Sequence, residues 1–466
     1  MYNKLFQTKF FNEFSKIKIS NIDGVIPKNL KGTYYKNGAM NLERDGKRLK
    51  HWFDGDGAIL KIKISNSEVE TSYKFVETEM YKSDNKNGKF SFVGISDMPS
   101  NYLDRWRLPA YINRANTSVL PLENKLLSLH EGGRPYAHDL ESLETKGEDF
   151  LGKMNSQMAF TAHPKVDPDT GEIYNIGSSL EKGSKKMYLY KLNKSGDIIM
   201  QEEYSSKNKY YPLLLHDMCI AGDYLVFITM PIRIKLFEAI FKLKPLSEFL
   251  YMDKDGYNEI FIYSKKDLKL VKSIKTSPFF YYHYANGFVD DTGNLIIDLI
   301  KYPPNLKMFS EFPIRILDGT MDTFDFESTL VRMTINLKDS TINQKVLMDL
   351  CEFPTVRASD VGKKHDFILS TYLKDSNKRG IIQHIAKLDL KKNILVKREL
   401  ENYEYAGESV HVQDDKREYI FNVIYDGNRH KSQFRILDFE TLEDVARFDL
   451  PELINFGFHG KWKKDN

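Results

Sequence analysis

Residues 158–177 read MAFTAHPKVDPDTGEIYNIG, and the alternation of short apolar runs with turn residues in this stretch sets the reading of the whole chain. A strand-like run, residues 158 to 162, carries His163 to its end. Pro164 lacks a backbone donor and stops ladder pairing, and Asp167, Pro168, Asp169, Thr170 and Gly171 then reverse the chain. Residues 172 to 176 read as the returning strand. The segment alone leaves two readings open: a histidine packed at a hairpin end, or the anchor of a metal site.

The same unit recurs downstream. KLLSLHEGG, MYLYKLN, DYLVFITM, EIFIYSKK, NLIIDLIKY, STLVRMTINL, DFILSTYL, REYIFNVIYD and SQFRILDF are runs of strand length with turns between them. The 27 tyrosines and 30 phenylalanines, with frequent β-branched residues, favour an all-β protein of many short strands. A chain of 466 residues exceeds one ordinary core. At about 40–50 residues per four-stranded blade it holds a seven-bladed β-propeller, with length left for helices and loops. No WD or kelch signature marks the blades.

Three segments depart from that rhythm. Residues 1–30 read as an amphipathic lead-in with Leu5, Phe6, Phe10, Phe11 and Phe14 near helical spacing. The HWFDGDG segment places Asp54, Gly55, Asp56 and Gly57 in a hairpin loop suited to positive φ. Residues 231–252, PIRIKLFEAIFKLKPLSEFLYM, read as a helical insertion with an apolar face and basic flanks from Arg233, Lys235, Lys242 and Lys244. Such a segment packs on the body or docks on a lipid surface.

The net charge is +3, with both signs interspersed, so no one-sided field points to nucleic acid as a partner. Cys219 and Cys351 lie far apart without metal-binding spacing, which fits buried reduced thiols. The N-terminal residues lack the continuous apolar stretch of a secretory signal, and no segment approaches the ~20 apolar residues of a membrane span. The expectation is a cytoplasmic protein whose second site of action is the surface of a membrane.

Four of the 11 histidines share a local grammar, each flanked by an apolar or aromatic run and by small or turn-forming residues. They are His163 (FTAHPK), His216 (LLLHDM), His283 (YYHYANGF) and His459 (FGFHGKW). Their spacing suits no zinc finger, but in a propeller the inner strands converge on the axis and remote ligands meet. Four neutral imidazoles suit Fe(II), Zn, Cu or Ni. A tetrahedral zinc site would be closed, whereas an octahedral iron would keep two open positions, and spacing does not choose. Metal-bound imidazoles need acceptors for their other N–H. Glu131 (LHEGG), Glu352 (CEFP) and Glu408 (AGESV) are the candidate carboxylates.

These residues resemble a known family, the carotenoid cleavage oxygenases, which includes the stilbene-cleaving dioxygenases and the retinoid isomerohydrolase of the visual cycle. The resemblance spans KGTYYKNG, HWFDGDG, ANTSVL, KLLSLHEGGRPYAHDLESLET, TAHPKVDPDTGE, HYANGFVDD, CEFP and GFHGKW, nearly the whole chain. It implies one propeller domain over residues 1–466, with a helical and loop cap over the iron-bearing face. It also implies a non-haem Fe(II) held by His163, His216, His283 and His459. In the family the counterparts of Glu131, Glu352 and Glu408 hydrogen-bond three of the ligands, and the first ligand usually lacks such a partner. Thr117, in ANT, matches the residue whose methyl borders one open iron position.

The implied reaction is O2-dependent scission of a conjugated C=C bond in a carotenoid or apocarotenoid, giving two carbonyl products. The residue before Glu131 is often Trp in bacterial carotenoid-cleaving members and Lys in stilbene-cleaving ones; here it is His130. Cleavage of a stilbene or phenylpropene is therefore the second expectation, and a catalytically silent lipid-binding propeller the third.

Overall fold

Short β-branched and aromatic runs separated by turns pair as antiparallel ladders, and in the computed structural model they form the seven blades of a β-propeller. The structure describes residues 2–8, 11–108, 112–181, 183–206, 209–374, 379–454 and 456–465. Blade 1 is built on Gly32–Met40, Asp56–Ser65 and Glu68–Phe75. Blade 2 runs from Ser118–Pro121 to Thr145–Glu148, and blade 3 from Lys165–Val166 to Ile198–Ser205. Blade 4 runs from Cys219–Ala221 to Leu270–Thr276, and blade 5 from Tyr284–Val289 to Ile342–Asp349. Blade 6 spans Cys351–Thr355 to Ile394–Arg398, and blade 7 spans Glu404–Ala406 to Asp444–Asp449.

Both ends of the chain close the ring. Gly460–Lys464 joins blade 1 as a further strand against Gly32–Met40, with Gly460 opposite Lys36 and Lys464 opposite Gly32. Asp23–Gly24 joins the far edge of blade 7, with Asp23 opposite Arg447 and an ion pair of 2.8 Å between them. Neighbouring blades pack through fully buried side chains; Ile176 and Leu189 of blade 3 share a cluster with Leu225, Phe227 and Phe261 of blade 4. Each such side chain contributes roughly 1.5–3 kcal/mol by burial.

The first strands of several blades are interrupted near the axis. In blade 3, Ala159 N and Thr161 N donate to Ser178 O and Ile176 O, pairing lapses over residues 162–164, and it resumes with Lys165 opposite Tyr174. Blade 6 shifts register between Glu352 and Thr355, with Phe353 at φ 53°. In blade 7 pairing lapses between Ala406 and Val410. Such interruptions bend a strand and re-aim a side chain. Gly177 lets the interrupted strand lie close, because a Cβ there would sit 1.8 Å from Ala159 O.

Four expectations are corrected. Residues 158–162 form no continuous strand; they meet the neighbouring strand through the bridge from Met158 to Ser179 and the two hydrogen bonds from Ala159 and Thr161, and His163 sits in the gap between two paired stretches rather than at a ladder's end. In the lead-in, the helix covers only Asn3–Phe6, whereas Phe14 begins the strand Phe14–Lys18 and stacks on Tyr73; Phe10 lies outside the described residues. Pairing with blade 1 overrides the helical spacing of the phenylalanines.

The segment 231–252 is a ribbon, Ile232–Ile234 against Leu250–Met252, bridged by two short helices, Leu236–Ile240 and Leu246–Phe249. Lys242 at φ 48° ends the first helix, and Pro245 pushes its predecessor to extended backbone, so one continuous helix cannot form.

The HWFDGDG segment is not the expected hairpin loop with positive φ: Trp52–Asp54 form a 3-10 turn, Gly55 has φ −67° and Asp56 begins the strand Asp56–Ser65, so the segment is a buried polar junction instead. Asp54 accepts a hydrogen bond from Ile95 N at 2.8 Å, and Asp56 binds the buried Arg114 at 2.6 Å. Burial, with Asp97 adding repulsion, pushes the Asp54 carboxyl up to about 7. A carboxyl whose folded value is raised binds its proton more tightly in the folded state, so it costs stability progressively as pH rises from about 4 to about 7. Asp54→Asn should be more stable than the parent at pH 8 and converge with it at pH 4, as read by urea unfolding at both values.

Candidate metal centre

Each blade delivers one polar side chain to the axis, at or just before the start of its first strand or, in blade 7, in the gap that follows Glu404–Ala406. In chain order from blade 2 to blade 7 these are Thr117, His163, His216, His283, Glu352 and Glu408, and His459 precedes the closing strand of blade 1. The four expected histidines come together. One ring nitrogen from each lies within 4.8 Å of the others, and Nε2 of His216 is 3.0 Å from Nε2 of both His163 and His283.

The opposite ring nitrogens define the tautomers. His283 Nδ1 donates to Glu352 Oε2 at 2.6 Å and His459 Nδ1 to Glu408 Oε1 at 2.8 Å, while His216 Nδ1 lies 2.8 Å from Glu131 Oε1. With their protons on Nδ1, these rings present bare Nε2 lone pairs to one point. Lone pairs 3.0 Å apart repel unless a cation lies between them. The donor set therefore fits a divalent metal. No carboxylate among the described residues pairs with His163.

The electrostatics suit that charge. Burial would raise the Glu131 and Glu408 carboxyls, but His216 and His459 respectively overcome it and bring both down to about 2. Burial opposes the ionised form of Glu352 as well, and His283 outweighs it, leaving that carboxyl below its ordinary value. Burial, reinforced by the three other imidazoles, holds His163 well below the usual histidine range, and burial outweighs Glu408 to bring His459 to about 4. For His283 burial acts in the same sense, but Glu352 reverses it and raises the ring. The result is three anionic carboxylates behind the imidazoles, which more than offset the charge of a divalent cation.

A cavity of about 490 Å3 opens onto this cluster. His216, His283 and His459 face it, whereas His163 does not line it. The walls are mainly apolar. They include Leu213, Ile234, Leu246, Leu250, Phe312 and Phe326. Thr117 lines the cavity with its hydroxyl turned to Asn116 Oδ1 at 3.1 Å and Glu131 Oε2 at 3.5 Å. His130 also lines it and is kept below its ordinary value by burial, so it presents a neutral imidazole.

The remaining histidines lie apart from the cluster. His51 bonds Phe309 O, His138 bonds Ser128 and His365 pairs with Asp298 in the protein interior. Cys219 and Cys351 are buried free thiols. Sequence reasoning missed Tyr302, which donates to Glu352 Oε1 at 2.8 Å and lines the cavity. It ends an apolar strand before two prolines, and nothing local marks it.

Comparison with known proteins agrees with this architecture. The family model described as retinal pigment epithelial membrane protein matches residues 8–464. An apocarotenoid-15,15'-oxygenase of Synechocystis is 28% identical, over 95% of this chain and 92% of that protein. A carotenoid 9,10(9',10')-cleavage dioxygenase 1 of Arabidopsis thaliana is 27% identical, over 96% and 87%. The crystal structure of cobalt-substituted Synechocystis apocarotenoid oxygenase superposes with a TM-score of 0.88 at 26% identity, covering 97% of this chain and 96% of that one.

If the four imidazoles share one ion, metal binding must stabilise the fold by mass action. Adding Co(II) to chelator-treated protein should raise its unfolding midpoint by several degrees, and His459→Ala should abolish that rise. Calorimetry with and without the ion checks both.

Proposed function

This chain belongs to the retinal pigment epithelial membrane protein family of carotenoid and apocarotenoid oxygenases, and we propose that it is an Fe(II)-dependent dioxygenase that cleaves a conjugated C=C bond of an apocarotenoid or carotenoid. The observation that carries this reading is the placement of four converging imidazoles at the wall of an apolar cavity. A ferrous ion held by His163, His216, His283 and His459 would supply the activation of dioxygen, and each product carbonyl would take one oxygen atom.

The chain's own contribution is binding, orientation and exclusion of water. Apolar walls on both sides of the site favour a rigid, extended hydrocarbon, and Phe353 and Phe458 stand in the wall beside the histidines. Such a cavity gains affinity from buried area and fixes which alkene lies against the ligand cluster. Glu131, Glu352 and Glu408 hold the imidazole planes, so the ligand lone pairs are aimed before substrate arrives. Thr117 borders the open side of the cluster, with its hydroxyl committed to neighbours. No acid–base pair is required of the protein, since the double bond is exchanged for two carbonyls without proton transfer.

Iron-loaded protein incubated with apocarotenals under 18O2 should yield two aldehydes, each carrying one labelled atom. Stilbenoids run in parallel test the phenylpropene class, which an isoeugenol monooxygenase of Pseudomonas nitroreducens represents among the relatives, at 29% identity over 48% of this chain. Absence of carbonyl products from either class would overturn the enzymatic reading, as would stoichiometric zinc without iron in protein purified with no added metal.

The substrate's route in is proposed to start at a membrane surface. No helix among the described residues is long and apolar enough to cross a membrane. However, Leu236, Phe237, Ile240, Phe241 and Leu243 are exposed on the 231–252 segment, next to Ile234, Leu246 and Leu250 of the cavity wall. Leu103 and Trp106 are exposed on the adjoining helix Tyr102–Arg107, and Tyr102 bonds Phe241 O at 2.8 Å, which joins the two apolar surfaces. Arg233, Lys235 and Lys244 flank them, as anionic headgroups would require. Replacing Phe237 and Phe241 by Ser should reduce co-sedimentation with anionic liposomes severalfold, and unchanged partition would rule these side chains out as the anchor.

A further inference from the structure

The three carboxylates behind the histidines are not supported alike. Glu408 rests on the backbone: its Oε2 accepts Gly460 N at 2.8 Å. Glu131 has a long contact of 3.5 Å from the Thr117 hydroxyl. Glu352 is held by the Phe353 N–H on the oxygen that faces His283 and, on its other oxygen, by the Tyr302 hydroxyl at 2.8 Å. Among these supports, Tyr302 supplies the side-chain hydrogen bond of ordinary length.

Tyr302 is itself fixed from two directions. Its backbone exchanges both hydrogen bonds with Phe280, Tyr302 N to Phe280 O at 2.8 Å and Phe280 N to Tyr302 O at 3.2 Å. Two residues upstream, Ile300 N donates to His283 O at 3.0 Å. One ladder therefore ties Tyr302 to the strand entry that carries His283. The ring meets Phe280, Tyr282 and Phe326 with centroids 6.0, 6.3 and 6.2 Å away. Its conformation is set by packing, and its hydroxyl is delivered to a carboxylate that is 4% exposed.

We infer that Tyr302 is a positioning residue for the metal centre: its hydroxyl orients Glu352, and Glu352 in turn orients and polarises His283. The inference rests on the metal reading above. A buried carboxylate that loses a hydrogen-bond donor is left partly unsatisfied and free to rotate. His283 Nδ1–H then loses a fixed acceptor. Changes at such outer partners weaken metal binding by about 10–100-fold. Because the hydroxyl acts through Glu352, its effect must vanish when Glu352 can no longer play that part.

The test is a double-mutant cycle read by metal binding rather than turnover. Tyr302→Phe keeps the ring contacts and removes the hydroxyl. It should raise the Co(II) dissociation constant about tenfold and shift the visible ligand-field bands, with the unfolding midpoint of the metal-free protein nearly unchanged. Glu352→Gln should weaken binding at least as much, and adding Tyr302→Phe to it should change the constant less than about twofold. Tyr425→Phe, which removes a buried hydroxyl bonded to His430 Nδ1 at 2.8 Å and lying outside the cavity lining, should leave constant and spectrum as in the parent. Tyr302→Leu, with the same expectation as the phenylalanine variant, serves if that variant does not fold.

An unchanged constant and spectrum in Tyr302→Phe would overturn the inference. So would full additivity with Glu352→Gln, or an effect of Tyr425→Phe as large as that of Tyr302→Phe. Failure of the parent protein to bind Co(II) at all would instead overturn the metal reading.

Discussion

Imidazole lone pairs aimed at one point repel each other, and the architecture depends on making that arrangement tolerable. A cation between them would turn repulsion into coordination, and three carboxylates, Glu352 and Glu408 buried and Glu131 partly so, lie against the opposite nitrogens of the rings that expose those lone pairs. Left alone, buried carboxylates would protonate and buried imidazoles would turn away. Each here is held by the other: the carboxyls of Glu131 and Glu408 fall to about 2 because their histidines lie against them. The site is a set of reciprocal constraints that no single residue could maintain.

The propeller supplies the convergence. A blade contributes little to the axis except the entry of its first strand, so interruptions of the ladder at residues 162–164, at Phe353 and between Ala406 and Val410 mark where chemistry is placed. A continuous ladder would alternate side chains strictly between the two faces of a blade. The gap lets one residue leave that alternation and point along the axis.

Much of this was legible in the sequence. Strand runs such as MYLYKLN and REYIFNVIYD fall in ladders, and the four histidine motifs meet. Their grammar carried the signal because a histidine at a strand interruption needs turn-forming neighbours. The rest was not legible because it depends on partners remote in the chain. The phenylalanines of the lead-in have helical spacing, yet Phe14 is claimed by Tyr73. The 231–252 segment becomes a ribbon with two helices because Ile232 meets Met252 across it. Tyr302 gains its place from Glu352, 50 residues away, and the motif LIKYPP says nothing of that.

The closing strand has a consequence for how the protein is made. His459 is adjacent to Gly460, the residue that begins the strand sealing blade 1, and its N–H donates to Thr117 O at 3.2 Å. The other three ligands emerge from the ribosome well before it. A growing chain therefore offers three of the four imidazoles until this last segment is made. Completion of the four-histidine cluster is thereby tied to closure of the circle, so a chain stopped short of residue 459 brings three of the four imidazoles to the axis.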